Sequence, residues 1–468
     1  MTPRPMTSLF QRPFENPLIA RLITAAVLIA LAAYILAGVP VTPFHADEAT
    51  QIAMSRDYAA IFLEGDLDSQ RYQENPADPA AQELRLINGV VTKLLIGLAW
   101  QARGYSVDDL NQPWDWGADW TYNFENGHAP SPDLLITARI PSAALYALGL
   151  LPMFALGWLV GGRVGAFVSV LLYALHPALL LNGRRAMMEG ALIAFSLFTV
   201  LAGVWFARSR SWGSALLLGL AAGLALASKH TAAFTLIAVY GGCLLLLSVE
   251  ALRRRAGESG RRAYSGLIWL ALSALLALGL FYALNPAWWG DPIGRAGQVL
   301  ALRSDLLNGQ AAAFGGYPDT GAALSGWLRQ AFLPPAQYYE VPVWANYING
   351  EINVYEASVF DGVRDLKAAG LEGVLFDLLL PLQVVAGLGA LLGGRSVERR
   401  ALLLIWAVVT ALTTALLTPL EWQRYYLPMH LASLLLAAAG VAWSVRPASS
   451  GAKVGGAASQ PPTSAPDV

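Results

Sequence analysis

The stretch Arg184-Arg185-Ala186-Met187-Met188-Glu189, followed by GALIAFSLFTVLAGVWFA and closed by Arg208-Ser209-Arg210, decides the fold. Its apolar run matches the roughly 20 residues that cross a hydrocarbon core as a helix. Cations stand at both ends, and one carboxylate lies at the start of the span. A carboxylate there needs a partner or a task.

Similar blocks recur along the chain. The residues are 56% hydrophobic and 13% charged, against roughly 25% charged in soluble domains. That balance excludes a soluble core and predicts an all-α polytopic membrane protein. Helical spans are expected at Leu18–Val39, Ile140–Val160, Val164–Leu181, Met187–Ala207, Ala215–Ala227, Ala232–Ser248, Leu267–Leu284, Leu371–Leu392, Ala401–Leu417 and Leu427–Val445, about ten in all. Ser228-Lys229-His230 leaves the fifth and sixth as a tight hairpin. Residues 1–17 read as a cytoplasmic N-terminal segment and 18–445 as the membrane domain. The Ser/Pro/Gly/Ala-rich residues 446–468 read as a disordered cytoplasmic tail. Two polar inserts, 40–138 and 285–370, are too long for ordinary connectors and point to function. Within the first, Arg85–Trp100 is short and carries Asn88 and Lys93, so it reads as one helix lying at the interface.

Arginine sets the orientation. Arg4 and Arg12, Arg163, Arg208 and Arg210, Arg253–Arg262, Arg395–Arg400 and Arg446 all fall on one side of an alternating count. That side is cytoplasmic, with both termini inside and both inserts outside. The net charge of −1 gives no sign of nucleic-acid binding, and the single cysteine, Cys243, excludes a disulfide framework within the chain.

The outer short connections break the rule with Arg184, Arg185, Lys229, His230 and Arg424. Each alone could snorkel to water. Together they could form one pocket for an anion, and a headgroup-level phosphate is the natural candidate. Between Arg184 and Arg185 the choice stays open, because neighbouring helical residues point about 100° apart.

The acidic counterpart is Phe44-His45-Ala46-Asp47-Glu48-Ala49. Asp47 and Glu48 are either helix N-terminal acids favoured by the dipole, or a site in which one carboxylate is a base or metal ligand. Glu189 follows Arg185 by four residues, so a simple helix-surface pair is its alternative role. The Trp-rich run from Gln112 to Trp120 reads as an interfacial aromatic belt or as a sugar platform. His45, His128, His176, His230 and His430 lack zinc-enzyme spacing. A transporter or lipid flippase with an outward-facing anion site is the rival reading; its site would tend to lie near the midplane.

The ordered pieces resemble the GT-C type membrane glycosyltransferases, in particular bacterial relatives of protein O-mannosyltransferases and of the lipid A aminoarabinose transferase. The pieces are Asp47-Glu48 after the first span, Ala138-Arg139-Ile140-Pro141-Ser142, Arg184 to Glu189, Leu284 to Pro292, and Arg424-Tyr425-Tyr426-Leu427-Pro428. Residues 80–89 lack the family's His-Pro-Pro, and Glu189 stands where Asp is common. A soluble C-terminal domain like that of oligosaccharyltransferases is not expected.

The resemblance implies a GT-C fold with exoplasmic juxtamembrane helices, a polyprenyl-phosphate-linked sugar as donor, and inversion at the anomeric carbon. The acceptor would be a hydroxyl on a protein, lipid or glycan. The site expected on this basis has Asp47, Glu48 and Glu189 as catalytic acids. Arg184, Arg185, Lys229, His230 and Arg424 would face the donor phosphate. His45, Trp114 and Trp116 would contact acceptor or sugar. A divalent cation (Mg2+ or Mn2+) on Asp47 or Glu189 fits carboxylate-plus-phosphate chemistry, although the sequence does not require it.

Overall fold

The computed structural model describes residues 16–253, 258–332, 336–341, 344, 380–392 and 397–445. Among these it is helical, with no strand. The helices in chain order are α1 (Pro17–Ala37), α2 (Ala46–Met54), α3 (Arg56–Phe62), α4 (Pro79–Ile87), α5 (Val90–Ala102), α6 (Trp120–Glu125), α7 (Pro132–Leu148), α8 (Leu150–Leu175) and α9 (Pro177–Arg184). They continue as α10 (Glu189–Ser209), α11 (Trp212–Ser228), α12 (Ala232–Arg253), α13 (Glu258–Leu284), α14 (Pro292–Phe314), α15 (Thr320–Gln330), α16 (Leu380–Leu392), α17 (Val397–Leu417) and α18 (Leu427–Ser444).

Seven stretches are long and apolar enough to cross a membrane, and α11 and α16 are shorter apolar helices. One of the seven, Pro132–Leu175, turns back on itself at Gly162, where φ is +61°. Glycine suits that left-handed conformation because it has no Cβ to clash. The two arms lie antiparallel: Ser169 Oγ donates to the Met153 carbonyl at 3.1 Å, and the Tyr146 and Tyr173 hydroxyls each donate to the other's carbonyl, at 2.5 and 2.7 Å. Each span read from the sequence therefore has an apolar helix in its described part. Two details differ. Val164–Leu181 is broken at His176, where Pro177 starts a new helix; proline has no N–H to continue the old one. Arg85–Trp100 is two helices, α4 and α5, parted at Asn88-Gly89.

α10 and α18 are the most enclosed spans, whereas α1 is mostly exposed along its length, as suits a lipid-facing helix. α18 packs on α8 and α16, and α11 on α10 and α13. The first insert folds over this bundle. Lys93 of α5 is buried but paired with Asp57 of α3 at 2.5 Å, and Arg85 of α4 reaches the same carboxylate at 2.9 Å. A buried charge is tolerable only when compensated in this way.

The break at Gly89 has a packing reason. A Cβ there would stand 2.0 Å from the Ser228 carbonyl oxygen at the end of α11. Gly89→Ala is expected to lower stability by about 1–3 kcal/mol, the usual cost of overpacking, because a backbone carbonyl cannot rotate away. Denaturation of the purified variant in detergent checks this; an unshifted transition would mean that the contact is loose.

Candidate active site

The turn after α1 delivers His45 as the cap of α2. Its Nδ1 accepts from the Asp47 backbone N–H at 3.1 Å, and its own N–H donates to Glu48 Oε2 at 2.9 Å, a reciprocal capping box. With Nδ1 accepting, a neutral His45 carries its proton on Nε2, which lies 2.9 Å from Glu340 Oε2.

The two adjacent acids part company on α2. Glu48 turns inward and is fully enclosed. Arg139 of α7 grips it bidentately, Nε to Oε1 at 2.7 Å and Nη2 to Oε2 at 2.8 Å, and the Ala186 N–H adds a bond of 2.8 Å. Burial raises its pKa, but Arg139 outweighs this and holds the carboxyl below the usual range. Arg139 also donates to the Val39 and Thr42 carbonyls. Every polar atom of this pair serves the fold.

Asp47 points the other way, toward Arg424, whose Nη1 donates to its Oδ2. Arg424 Nε lies 3.2 Å from Glu340 Oε1, an ion pair without hydrogen-bond alignment. The guanidinium also stands over the rings of Trp422 and Tyr425 at 5.3 and 5.7 Å. Burial acts to raise the Asp47 carboxyl and Glu340 adds to it; Arg424 and then His45 prevail, so it is held below the ordinary value. Arg424 is itself held well above its usual range, because Glu340 and Asp47 outweigh burial.

The remaining sequence-read cations separate. Arg184 Nε and Nη2 donate to the Ile35 and Tyr34 carbonyls at 2.8 and 2.7 Å, covering the unpaired end of α1. Arg185 donates to the carbonyls of Pro43 and Tyr338 at 3.2 and 2.7 Å. Burial pushes it down to about 10, with Glu48 and then Glu340 opposing. It therefore lies beside the acidic cluster, whereas Arg184 is spent on α1. Lys229 Nζ meets Glu189 Oε1 at 2.5 Å, so Glu189 pairs across to the α11–α12 turn. His230 packs edge-on to Phe281 and Trp288, and burial, then Arg303, pushes it down to about 3. A neutral ring so placed is a poor phosphate partner. Trp114 is buried against Phe44 and Trp120 at 5.6 and 5.8 Å, a core role. Trp116 stays exposed, 6.5 Å from His45.

Two residues of this cluster escaped the sequence reading. Glu340 lies in the second insert, where Tyr338-Tyr339-Glu340 carries no periodic signal. Arg303 lies on α14, and its Nη2 donates to the Ile87 carbonyl. Burial holds its pKa below the usual range, and Tyr425, Arg424, Asp47 and Glu189 are all near enough to act on its charge. Among the described residues it has no carboxylate within ion-pair distance. No group of three or more His, Cys, Asp and Glu residues converges to hold a metal among the described residues. Asp47 and Glu189 each face a protein cation where a divalent ion would need oxygen ligands.

Residues 91–286 match the family model described as dolichyl-phosphate-mannose-protein mannosyltransferase. The GT-C resemblance read from the sequence is thereby borne out. No curated protein matches the chain. Similar solved structures include the S. cerevisiae protein O-mannosyltransferase Pmt1-Pmt2 complex bound to the sugar donor, at 19% identity and TM-score 0.43, covering 60% of this chain and 35% of that one. The Archaeoglobus fulgidus oligosaccharyltransferase in complex with Zn and sulfate gives 15% identity and TM-score 0.40, covering 89% and 49%. The A. fulgidus oligosaccharyltransferase AglB with an inhibitory peptide and a dolichol-phosphate gives 14% identity and TM-score 0.41, covering 89% and 50%. The chain thus spans half or less of the length of these proteins.

Proposed function

We propose that this chain is a membrane glycosyltransferase that moves a sugar from a polyprenyl-phosphate donor to a hydroxyl on the exoplasmic side, with inversion. Both termini are cytoplasmic in this reading, and both inserts lie outside. One observation carries it. Of the four carboxylates in the cluster, Asp47 keeps 32% side-chain exposure, while Glu48, Glu189 and Glu340 keep 0%, 1% and 6%. An ionised, reachable carboxylate among arginines is what an acceptor hydroxyl and a lipid phosphate together require.

The acceptor O–H donates to Asp47 as its oxygen attacks the anomeric carbon. The bond from that carbon to the phosphate oxygen breaks, and the polyprenyl phosphate leaves with the electron pair. A phosphate is a weak base, so it needs charge stabilisation rather than a strong acid. Arg303 supplies it, with Arg424 and Lys229 behind. Arg424 also aims Asp47.

Turnover in proteoliposomes with a panel of polyprenyl-phosphate sugars tests the reading; no transfer from any of them removes it. Arg303→Gln is expected to weaken binding of undecaprenyl phosphate about 10-fold or more, the scale of a lost charge-assisted bond. Unchanged affinity would take the phosphate away from Arg303.

A further inference from the structure

Residues 336–341 of the second insert lie against the site, and the structure ties them down at several points. Gln337 and Gln423 bond reciprocally: the Gln337 backbone N–H donates to Gln423 Oε1 at 3.0 Å, and the Gln423 backbone N–H donates to Gln337 Oε1 at 2.7 Å. Gln337 Nε2 also donates to the Glu421 carbonyl at 3.3 Å. Arg185 holds the Tyr338 carbonyl at 2.7 Å, and Val341 packs with Trp344, Leu420 and Trp422. Glu340 stands between these anchored neighbours, with its side chain only 6% exposed.

A carboxylate so enclosed needs partners, and Glu340 divides its two oxygens between two of them. Oε2 accepts from His45 Nε2–H at 2.9 Å, and Oε1 lies 3.2 Å from Arg424 Nε. Each partner in turn touches Asp47. His45 Nδ1 accepts the Asp47 backbone N–H at 3.1 Å, and Arg424 Nη1 donates to Asp47 Oδ2. A neutral imidazole has one N–H. Holding it on Nε2 keeps Nδ1 an acceptor, and so keeps the cap that fixes the Asp47 backbone. A guanidinium that also faces a second carboxylate binds Asp47 less exclusively than one paired with Asp47 alone.

We propose that Glu340 is a positioning residue of the transfer reaction, aiming Asp47 through His45 and Arg424. The inference rests on the transferase reading above and gives the second insert a part in it. Glu340 touches no reacting atom; it sets where the Asp47 carboxylate stands and how firmly Arg424 holds it. A purely structural Glu340, present only to neutralise Arg424, would make the opposite prediction in the experiment below.

That experiment is a mutant cycle. It reads single-turnover consumption of the polyprenyl-phosphate sugar that wild type accepts, with undecaprenyl phosphate affinity measured on the same proteoliposomes. In Glu340→Gln the amide has one acceptor oxygen for two partners. Turnover is expected to fall about 10–100-fold, the scale of a misaimed catalytic group. Undecaprenyl phosphate should bind at least as tightly as to wild type, since a negative charge beside Arg424 is gone, and its binding also reports on folding. In an Asp47→Asn background the same change is expected to cost less than about 2-fold, because no carboxylate remains to be aimed and coupled residues do not add. Equal losses in both backgrounds would overturn the proposal, as would an undiminished rate in Glu340→Gln alone. Should Glu340→Gln fail to bind undecaprenyl phosphate, Glu340→Asp takes its place in the cycle with the same two outcomes: it keeps the charge but, one methylene shorter, cannot span both partners. Failure of wild type to consume any polyprenyl-phosphate sugar would instead sink the transferase reading, and the role of Glu340 with it.

Discussion

Asp47→Asn is expected to lower turnover at least about 100-fold, the usual scale of a lost general base, while donor binding persists. The amide keeps the size of the side chain and can still accept from Arg424, so the loop should hold its shape. What disappears is the carboxylate oxygen proposed to take the acceptor proton. Single-turnover rates with saturating donor, beside undecaprenyl phosphate affinity, separate chemistry from binding. Near-normal turnover would remove Asp47 from the reaction.

Its neighbour should behave in the opposite manner. Glu48→Gln leaves the Arg139 guanidinium enclosed with no counter-charge, and breaking one side of a buried pair costs about 3–5 kcal/mol. The expected result is a protein of low yield and much reduced denaturation midpoint. The same pair sets a pH dependence. Glu48 is held below its ordinary value in the folded protein. Its contribution is therefore complete above the ordinary glutamate range and is lost as pH falls through the depressed value. Acid destabilisation of wild type that is absent from Glu48→Gln would identify this carboxylate. Normal stability of the variant would show that Arg139 is satisfied by the Val39 and Thr42 carbonyls alone.

The spans were legible because apolar length is a one-dimensional property. The division of labour within the charged pairs was not. Asp47 and Glu48 are adjacent on a helix, so one faces the core and the other the site, and the letters do not say which. The same holds for Arg184, spent on the end of α1, and Arg185, which lies beside the acidic cluster. Trp114 and Trp116 are two residues apart, yet one is buried and the other exposed. Lys93 stood out in an apolar run, but its partner Asp57 sat unremarked in α3. Glu340 and Arg303 depend on how the second insert folds back, and no local spacing encodes that return.

Arg424 joins segments that the ribosome delivers far apart in time. Asp47 precedes it by 377 residues, roughly 20–75 s of synthesis at about 5–20 residues per second. Through most of that interval neither Glu340 nor Arg424 has been made, so Asp47 stands without either partner. The cluster is thus completed only when Arg424 arrives, and a chain halted before it would hold Asp47 without its guanidinium partner.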